Sequence, residues 1–349
     1  MNFCSDNVTE VCPEIMAALI AANEGAMMPY GGDEYTQRLE TKFSLIFETP
    51  VTVFPVTTRS AANALALSAI TPGYGAIYCH AESHINVDEC GAPEFYTGGA
   101  KLVTLNGTDA QIDPSELSKT LDNAGAGVVH HVQPAAVSIT QATEVGTVYL
   151  PEEIGEIAKI THAHNLCLHI DGARLANAVV SLDCAPADIT WRAGVDVLCF
   201  GATKNGAMAA EAAIFFNQDL AKTFAYRRKR SGHLFSKMRY FSAQLETYIT
   251  DNLWLKNASH ANEMATKLAQ GLVKLPLVRL CHPVEANEVF VEIPESMVNA
   301  LRADGFEFYV WQEGTLPIIR LVTAFNTREE DVDALLKSVK RHSVVDLME

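Results

Sequence analysis

The chain has 349 residues, 48% of them hydrophobic, enough for one large domain and a smaller one. Its formal net charge of -16 excludes the basic footprint on which nucleic-acid binding rests, and no apolar run approaches the ~18 residues of a membrane span. The eight cysteines form no CxxC pair and several fall in apolar stretches, which predicts reduced, buried thiols in a cytoplasmic protein; the polar start MNFCSDNVTE does not read as a signal peptide.

In chain order, VTVFPV (51–56) predicts a strand and RSAANALALSAI (59–70) a helix rich in small residues. GAIYCH (75–80), KLVTL (101–105) and GVVHHV (127–132) predict strands. PEEIGEIAKITHAH (151–164) carries Ile154, Ile157 and Ala158 at helical spacing, and LCLHID (166–171) and DVLCFG (196–201) predict further strands. Such alternation belongs to an α/β fold with a mostly parallel sheet covered on both faces, in which sites collect at the carboxyl ends of strands. After about residue 245 the pattern changes to strands at VFVEI (289–293), FEFYVW (306–311) and PIIRLVTAF (317–325). A terminal helix follows over 327–342, with Thr327 and Glu330 spaced as a capping box and Val332, Leu335, Leu336 and Val339 on one apolar face. The expected division is a large domain over 15–248 and a small carboxyl-terminal α+β domain over 249–349, with residues 1–14 as an arm.

Three strand ends carry polar residues that belong together chemically. LCFGATKNG ends its apolar run at Lys204, LCLHIDGAR ends at Asp171 with Arg174 three residues on, and GAIYCHAESHINVDECGA leads to His84 and Glu89. Alone, each has an ordinary structural explanation: a surface lysine, a capping aspartate, a hydrogen-bonded histidine. As a set they match the needs of pyridoxal phosphate. An amine such as Lys204 can hold the cofactor's aldehyde as a Schiff base. A carboxylate such as Asp171 stabilises a protonated ring nitrogen, so that the ring can draw electrons from a carbanion. His84 can stack on the flat ring. The strand-turn-helix at VTTRSAAN offers backbone N–H groups of a helix start to the phosphate, and Arg320, charged within PIIRLVTAF, is a candidate fork for a substrate carboxylate.

HIDGARLANAVV followed by the lysine of FGATKNG resembles the threonine aldolase family of fold-type I pyridoxal-phosphate enzymes. The likeness extends along nearly the whole chain, through FCSDNVTE, YGGDEYTQRLE, SAANALAL, SHINVDECGAPEF, SITQATEVG and RRKRSGHL, and is strongest toward the phenylserine-cleaving members. The resemblance implies that Lys204 carries the cofactor, Asp171 meets the pyridine nitrogen and His84 stacks on the ring. It also implies that Ser5, Arg174 and Arg320 surround the substrate carboxylate. The implied reaction is retro-aldol cleavage of a β-hydroxy-α-amino acid to glycine and an aldehyde, with His84 as candidate base and His131 as a weaker one. A homo-oligomer with sites at a dimer interface, commonly a tetramer, is implied as well; no metal-ligand residues are expected, and with the charge and hydropathy above, no nucleic-acid or membrane partner.

The chain departs from the family at the phosphate turn, where Arg59-Ser60 stands before Ala61 in place of Gly-Thr. Arginine either obstructs the close backbone approach that glycine allows or adds a guanidinium to the phosphate, while Ser60 keeps the hydroxyl. Lys237 and Arg230 lie where the family brings a basic residue to the phosphate. The segment 132–149 is longer than the family's usual turn, and Tyr30, Phe54 and Phe235 are candidates for favouring an aromatic aldehyde product. Three alternatives stay open: a β-eliminating lyase or aminotransferase sharing Lys204 and Asp171, a catalytically impaired relative in which Arg59 closes the cradle, and a metal hydrolase on His162, His164 and His169.

Overall fold

The computed structural model describes residues 1–345. Its principal sheet contains β1 (Thr52–Val56), β2 (Gly75–His80), β3 (Lys101–Leu105), β4 (Gln133–Thr140), β5 (Cys167–Gly172), β6 (Val197–Gly201) and β7 (Glu211–Phe215). The spatial order is β1-β7-β6-β5-β4-β2-β3. Strands β6, β5, β4, β2 and β3 are parallel, and β7 alone runs against its neighbours β1 and β6. Every residue of β2, β6 and β7 is buried, so these strands are continuous apolar runs with helices on both faces. The carboxyl ends of β1, β2, β4, β5 and β6 and the amino end of β7 therefore open on one edge.

Two differences from the sequence expectation have local causes. Residues 127–132 form a turn, and the strand lies just after them, in β4. Gln133 closes that turn: its Nε2 donates to the carbonyls of Val128 (3.1 Å) and His131 (2.9 Å), and its Oε1 accepts from the Gly127 amide (2.7 Å). Ala136, Val137 and Ile139 of β4 are buried between β2 and β5, so half of the segment read as a long turn is central sheet. The sequence reading also has no counterpart of β7, a five-residue apolar strand opened by a glutamate.

A second sheet, β10-β11-β9-β8, is antiparallel throughout and is built from β8 (Arg279–Leu280), β9 (Glu288–Glu292), β10 (Tyr309–Gln312) and β11 (Ile318–Val322). Its apolar face packs Val289, Val291 and Leu321 against Val332, Leu335 and Val339 of the helix Glu329–Val345. That helix starts two residues later than expected, and the Thr327 hydroxyl accepts from the Ala324 amide (2.8 Å) instead of capping it. The helix Leu253–Leu272 joins the two sheets: Trp254 and Ala258 lie in the main core, Met264 to Leu272 in the smaller one. The expected boundary at 248/249 falls just ahead of it, and the last four residues of the expected small domain lie outside the described residues. The amino-terminal segment is anchored to the small sheet, with Phe3 buried in its core and the Phe3 amide donating to the Glu307 carbonyl (2.8 Å). Among the described residues, no helix is long and apolar enough to cross a membrane.

Gly201 ends β6 against the turn that follows β5, where an added Cβ would lie 2.7 Å from the Ala173 carbonyl oxygen. Gly201→Ala is expected to force the ends of β5 and β6 apart and to lower stability by about 1–3 kcal/mol, read as a lower urea midpoint at unchanged slope.

Candidate active site

The common strand edge places Lys204 beside Arg59, Ser60, Thr57, Thr58, His84, Ala173, Thr203 and Glu211 around a cavity of about 390 Å³. Lys204 sits in a single 3-10 turn between β6 and β7, ended by Gly206 at φ 109°. Among the described residues no hydrogen bond or ion pair holds its ammonium. Burial, reinforced by the positive charge of Arg174, lowers its pKa to about 8. A free amine is therefore available near neutral pH, as a Schiff-base lysine requires.

Asp171 closes β5 and is 1% exposed. Its Oδ1 accepts from the Ala173 amide (3.1 Å) and its Oδ2 from Asn63 Nδ2 (2.6 Å). Asn63 Nδ2 also donates to Glu89 Oε1 (2.8 Å), and Glu89 Oε1 pairs with His84 Nδ1 (2.9 Å). His84, Glu89, Asn63 and Asp171 thus form one chain of contacts beneath the cavity. His84, Glu89 and Asp171 present ligand atoms within 4.8 Å of one another, but Asn63 already occupies the space between the two carboxylates. With Nδ1 directed to Glu89, His84 keeps Nε2 for a proton from outside this chain.

Arg59 is the first residue of the helix Arg59–Ile70, whose Ala61 amide is capped by Thr58 Oγ1 (3.3 Å). The Arg59 side chain, 13% exposed, runs from this helix start to the Asp171 carboxylate and forms an ion pair with it. Burial lowers its pKa, opposed by the nearby carboxylate of Glu211. Arg59 Nε is buried without a hydrogen-bond partner among the described residues. The guanidinium therefore spans the distance from the helix start to the Asp171 carboxylate.

Arg174 is committed elsewhere. Its Nε and Nη2 donate to Asp6 (2.8 and 3.1 Å), and its Nη1 pairs with Glu288 Oε2 at 3.0 Å. Arg320, on β11, donates Nη2 to the Cys4 carbonyl (3.3 Å), lies over the rings of Tyr309 and Trp311, and has Nη1 3.8 Å from Glu288 Oε1. Burial acts to raise the pKa of Asp6, but Arg174 and Lys204 hold it below the usual carboxylate range. Ser5 caps the short turn Asp6–Val8 by accepting from the Asn7 amide (3.1 Å), and Asn7 is the arm residue that lines the Lys204 cavity.

Several expected residues are not brought to this cavity within the chain. His131 is exposed at the amino end of β4, the edge opposite Asp171. Tyr30 is exposed under Lys229 Nζ (4.7 Å), Phe235 packs on Phe241, and Lys237 and Arg230 face solvent. Phe54 is a packing residue between Phe215, Phe224 and Arg228. His162 pairs with Asp196 (3.0 Å), His164 with Asp122 (3.2 Å), and His169 is buried between Ser138 and Cys199, so these three do not converge. The burial of His169 lowers its pKa to about 3 and keeps it neutral. The residues that the sequence reading missed are Asn63, Glu211, Glu288, Asp6 and His233, which bonds Thr57 Oγ1 through Nδ1 (3.1 Å). A polar residue inside an otherwise apolar helix or strand was the available signal for the first three.

A family model described as beta-eliminating lyase matches residues 2–296. A low specificity L-threonine aldolase of Pseudomonas aeruginosa is 42% identical over 344 residues, covering 97% of this chain and 97% of that protein. Another, from a Pseudomonas species, is 43% identical over 310 residues, covering 89% of each. The structure of a Leishmania major threonine aldolase superposes with a TM-score of 0.93 at 29% identity, over 98% of this chain and 99% of that one.

The depressed pKa of Lys204 means that its neutral fraction rises as pH passes through about 8, whereas ordinary lysines stay protonated there. Reductive methylation with formaldehyde and borohydride at pH 7 is expected to label Lys204 ahead of the surface lysines, as located by peptide mass mapping.

Proposed function

On the premise that the chain belongs to the beta-eliminating lyase family and has the fold-type I architecture, we propose that it is a pyridoxal-phosphate-dependent aldolase. Its reaction is cleavage of β-hydroxy-α-amino acids of the threonine and phenylserine type to glycine and an aldehyde. The observation that carries this reading is a lysine amine poised near neutral pH, without a partner among the described residues, in one cavity with His84 and with Arg59, which pairs with Asp171.

The residues present fit the cofactor. Lys204 supplies the amine, the helix start at Arg59 and Ser60 faces the same cavity, and Asp171 already holds a buried cation, the Arg59 guanidinium, where a protonated ring nitrogen would pair. When bound, the cofactor supplies an electron sink for the carbanion left at Cα. His84, oriented by Glu89 through Nδ1, would stack on the cofactor and take the β-hydroxyl proton on Nε2. Arg320 and Arg174 receive the substrate carboxylate, with Ser5 and Asn7 in the arm beside them. Lys204 moves protons at Cα once the aldehyde has left. Ser60 and Ala61, at the helix start, would hold the phosphate, and Arg59 would have to release Asp171 for that carboxylate to pair with the cofactor.

The Arg59–Asp171 pair also favours a second reading, an impaired relative whose cradle stays closed. A β-eliminating lyase or aminotransferase would release a keto acid where the aldolase releases glycine and an aldehyde.

We also infer a homo-oligomer with shared sites, a dimer or tetramer. Met28, Tyr30, Tyr226 and Phe235 are exposed on neighbouring segments, tied by the Tyr30 amide to the Ser236 carbonyl (3.0 Å), and this surface suits a second copy. Lys237 and Tyr30 would then serve the partner's site. Eight free cysteines suit a reducing, cytoplasmic compartment.

Wild-type protein with added pyridoxal phosphate is expected to convert phenylserine or threonine to glycine and aldehyde, and Lys204→Ala to lose this activity; keto-acid release would overturn the aldolase reading. His84→Asn is expected to lower kcat by about 10²–10⁴-fold with little change in cofactor absorbance. Arg59→Gly is expected to bind cofactor roughly tenfold more tightly, because it removes the competing cation, as read by absorbance titration of stripped protein. Wild type inactive at saturating cofactor beside an active Arg59→Gly would establish the impaired relative.

A further inference from the structure

Arg174 and Arg320 face a carboxylate that belongs to the protein. Glu288, at the start of β9 and 1% exposed, points one oxygen at each arginine: Oε2 is 3.0 Å from Arg174 Nη1 and Oε1 is 3.8 Å from Arg320 Nη1. Asp6 holds the other edge of Arg174 through two hydrogen bonds and is itself held by Asn287 Nδ2 (3.1 Å). Glu288 has no such support, since neither of its oxygens makes a hydrogen bond to a described residue. The two carboxylates therefore differ in kind: Asp6 is a fastened structural partner, and Glu288 is held by charge alone.

The charge balance turns this difference into a consequence for binding. With Lys204 engaged by the cofactor, the two arginines are balanced by Asp6 and Glu288, and a third carboxylate brought into the same buried cluster would leave an uncompensated negative charge. Such a charge is expensive away from water. A substrate carboxylate can enter only if Glu288 swings away or takes a proton.

We propose that Glu288 is an internal competitor for the α-carboxylate of the amino-acid substrate, occupying the Arg174–Arg320 pair in the substrate-free enzyme and setting substrate affinity by how readily it leaves. The proposal rests on the reading of these arginines as the carboxylate site. Glu288 is thus a specificity-determining residue: the energy that a ligand gains from the arginines is reduced by the energy needed to displace it. Proton uptake is a second route of release. Burial raises the pKa of Glu288, while Arg174, Arg320 and Lys204 oppose the rise and Asp6 adds to it. The loop packed on its Cβ at Gly146 also brings Glu144, whose charge acts on Arg174. Lower pH therefore favours the protonated, displaced form and tighter binding of a carboxylate.

The test compares holoenzyme of wild type and Glu288→Gln, which keeps the shape and removes the charge. Steady-state cleavage of phenylserine gives KM and kcat, and calorimetric titration gives the Kd of glycine, a ligand with the carboxylate, and of 2-aminoethanol, an amine without one. The expected result is a KM and a glycine Kd about tenfold lower in Glu288→Gln, with kcat moving less than KM and 2-aminoethanol unaffected. Wild-type glycine affinity should rise relative to the variant's as pH falls, because only the wild type carries a carboxylate that can take a proton there. Equal or weaker glycine binding by a folded Glu288→Gln overturns the proposal. If the variant does not fold, a wild-type glycine Kd that does not fall as pH is lowered does so as well. Absence of cleavage by wild type at saturating cofactor would instead count against the aldolase reading, and the glycine titration would still decide the role of Glu288.

Discussion

The pairing of Arg174 with Asp6 and Glu288 ties together three distant parts of the chain at one buried point. Asp6 comes from the amino-terminal segment, Arg174 from the turn after β5 of the principal sheet, and Glu288 from β9 of the small one. All three side chains are nearly inaccessible to water. Removing one member of such a buried pair costs about 3–5 kcal/mol, whereas forming it returns little beyond the desolvation of its members. The cluster is therefore better understood as a device that specifies where the two sheets and the arm meet than as a source of stability. Lys204 lies in the field of this cluster, whose Arg174 charge contributes to lowering its pKa.

The same principle governs the other half of the site. Asp171 cannot remain buried and ionised without partners, and it finds donors in the Ala173 amide and Asn63 and a counter-charge in the Arg59 guanidinium. Asn63 then fixes Glu89, and Glu89 fixes His84. The chain's own charges thus occupy both positions that the proposed reaction assigns to ligands, with Arg59 in place of a ring cation and Glu288 in place of a substrate carboxylate. On that proposal, cofactor and substrate binding would be exchanges of one charge for another, and affinity would be a difference between two interactions.

The sheet supplies the geometry for these exchanges. Parallel strands deliver their carboxyl ends to one edge, so the Thr57–Thr58 turn, His84, Asp171 and Lys204 meet although they are widely separated in sequence. Antiparallel β7 contributes from its first residue, since Glu211 pairs in register with both Val56 and Gly201. That register places a buried carboxylate between the phosphate turn and the lysine turn, and burial raises its pKa.

Local sequence was sufficient for whatever depends on near neighbours. Most of the principal strands, the helices 59–70 and 151–164, and the strand-end positions of Lys204, Asp171 and His84 were legible, because strand ends, apolar periodicity and the Asp-Gly-Ala-Arg motif are short-range patterns. The strand β4 was misplaced because its start is set by Gln133 folding back on the preceding turn, a contact that composition does not announce. His131 was drawn toward the site by residue type alone, and the direction of β4 places it at the opposite edge. The partners of Arg174, the reach of Arg59 to Asp171 and the position of Glu288 between two arginines were decided only by tertiary structure. A buried charge takes whichever counter-charge the fold brings within a few ångströms, and the distance along the chain carries no information about which one that is.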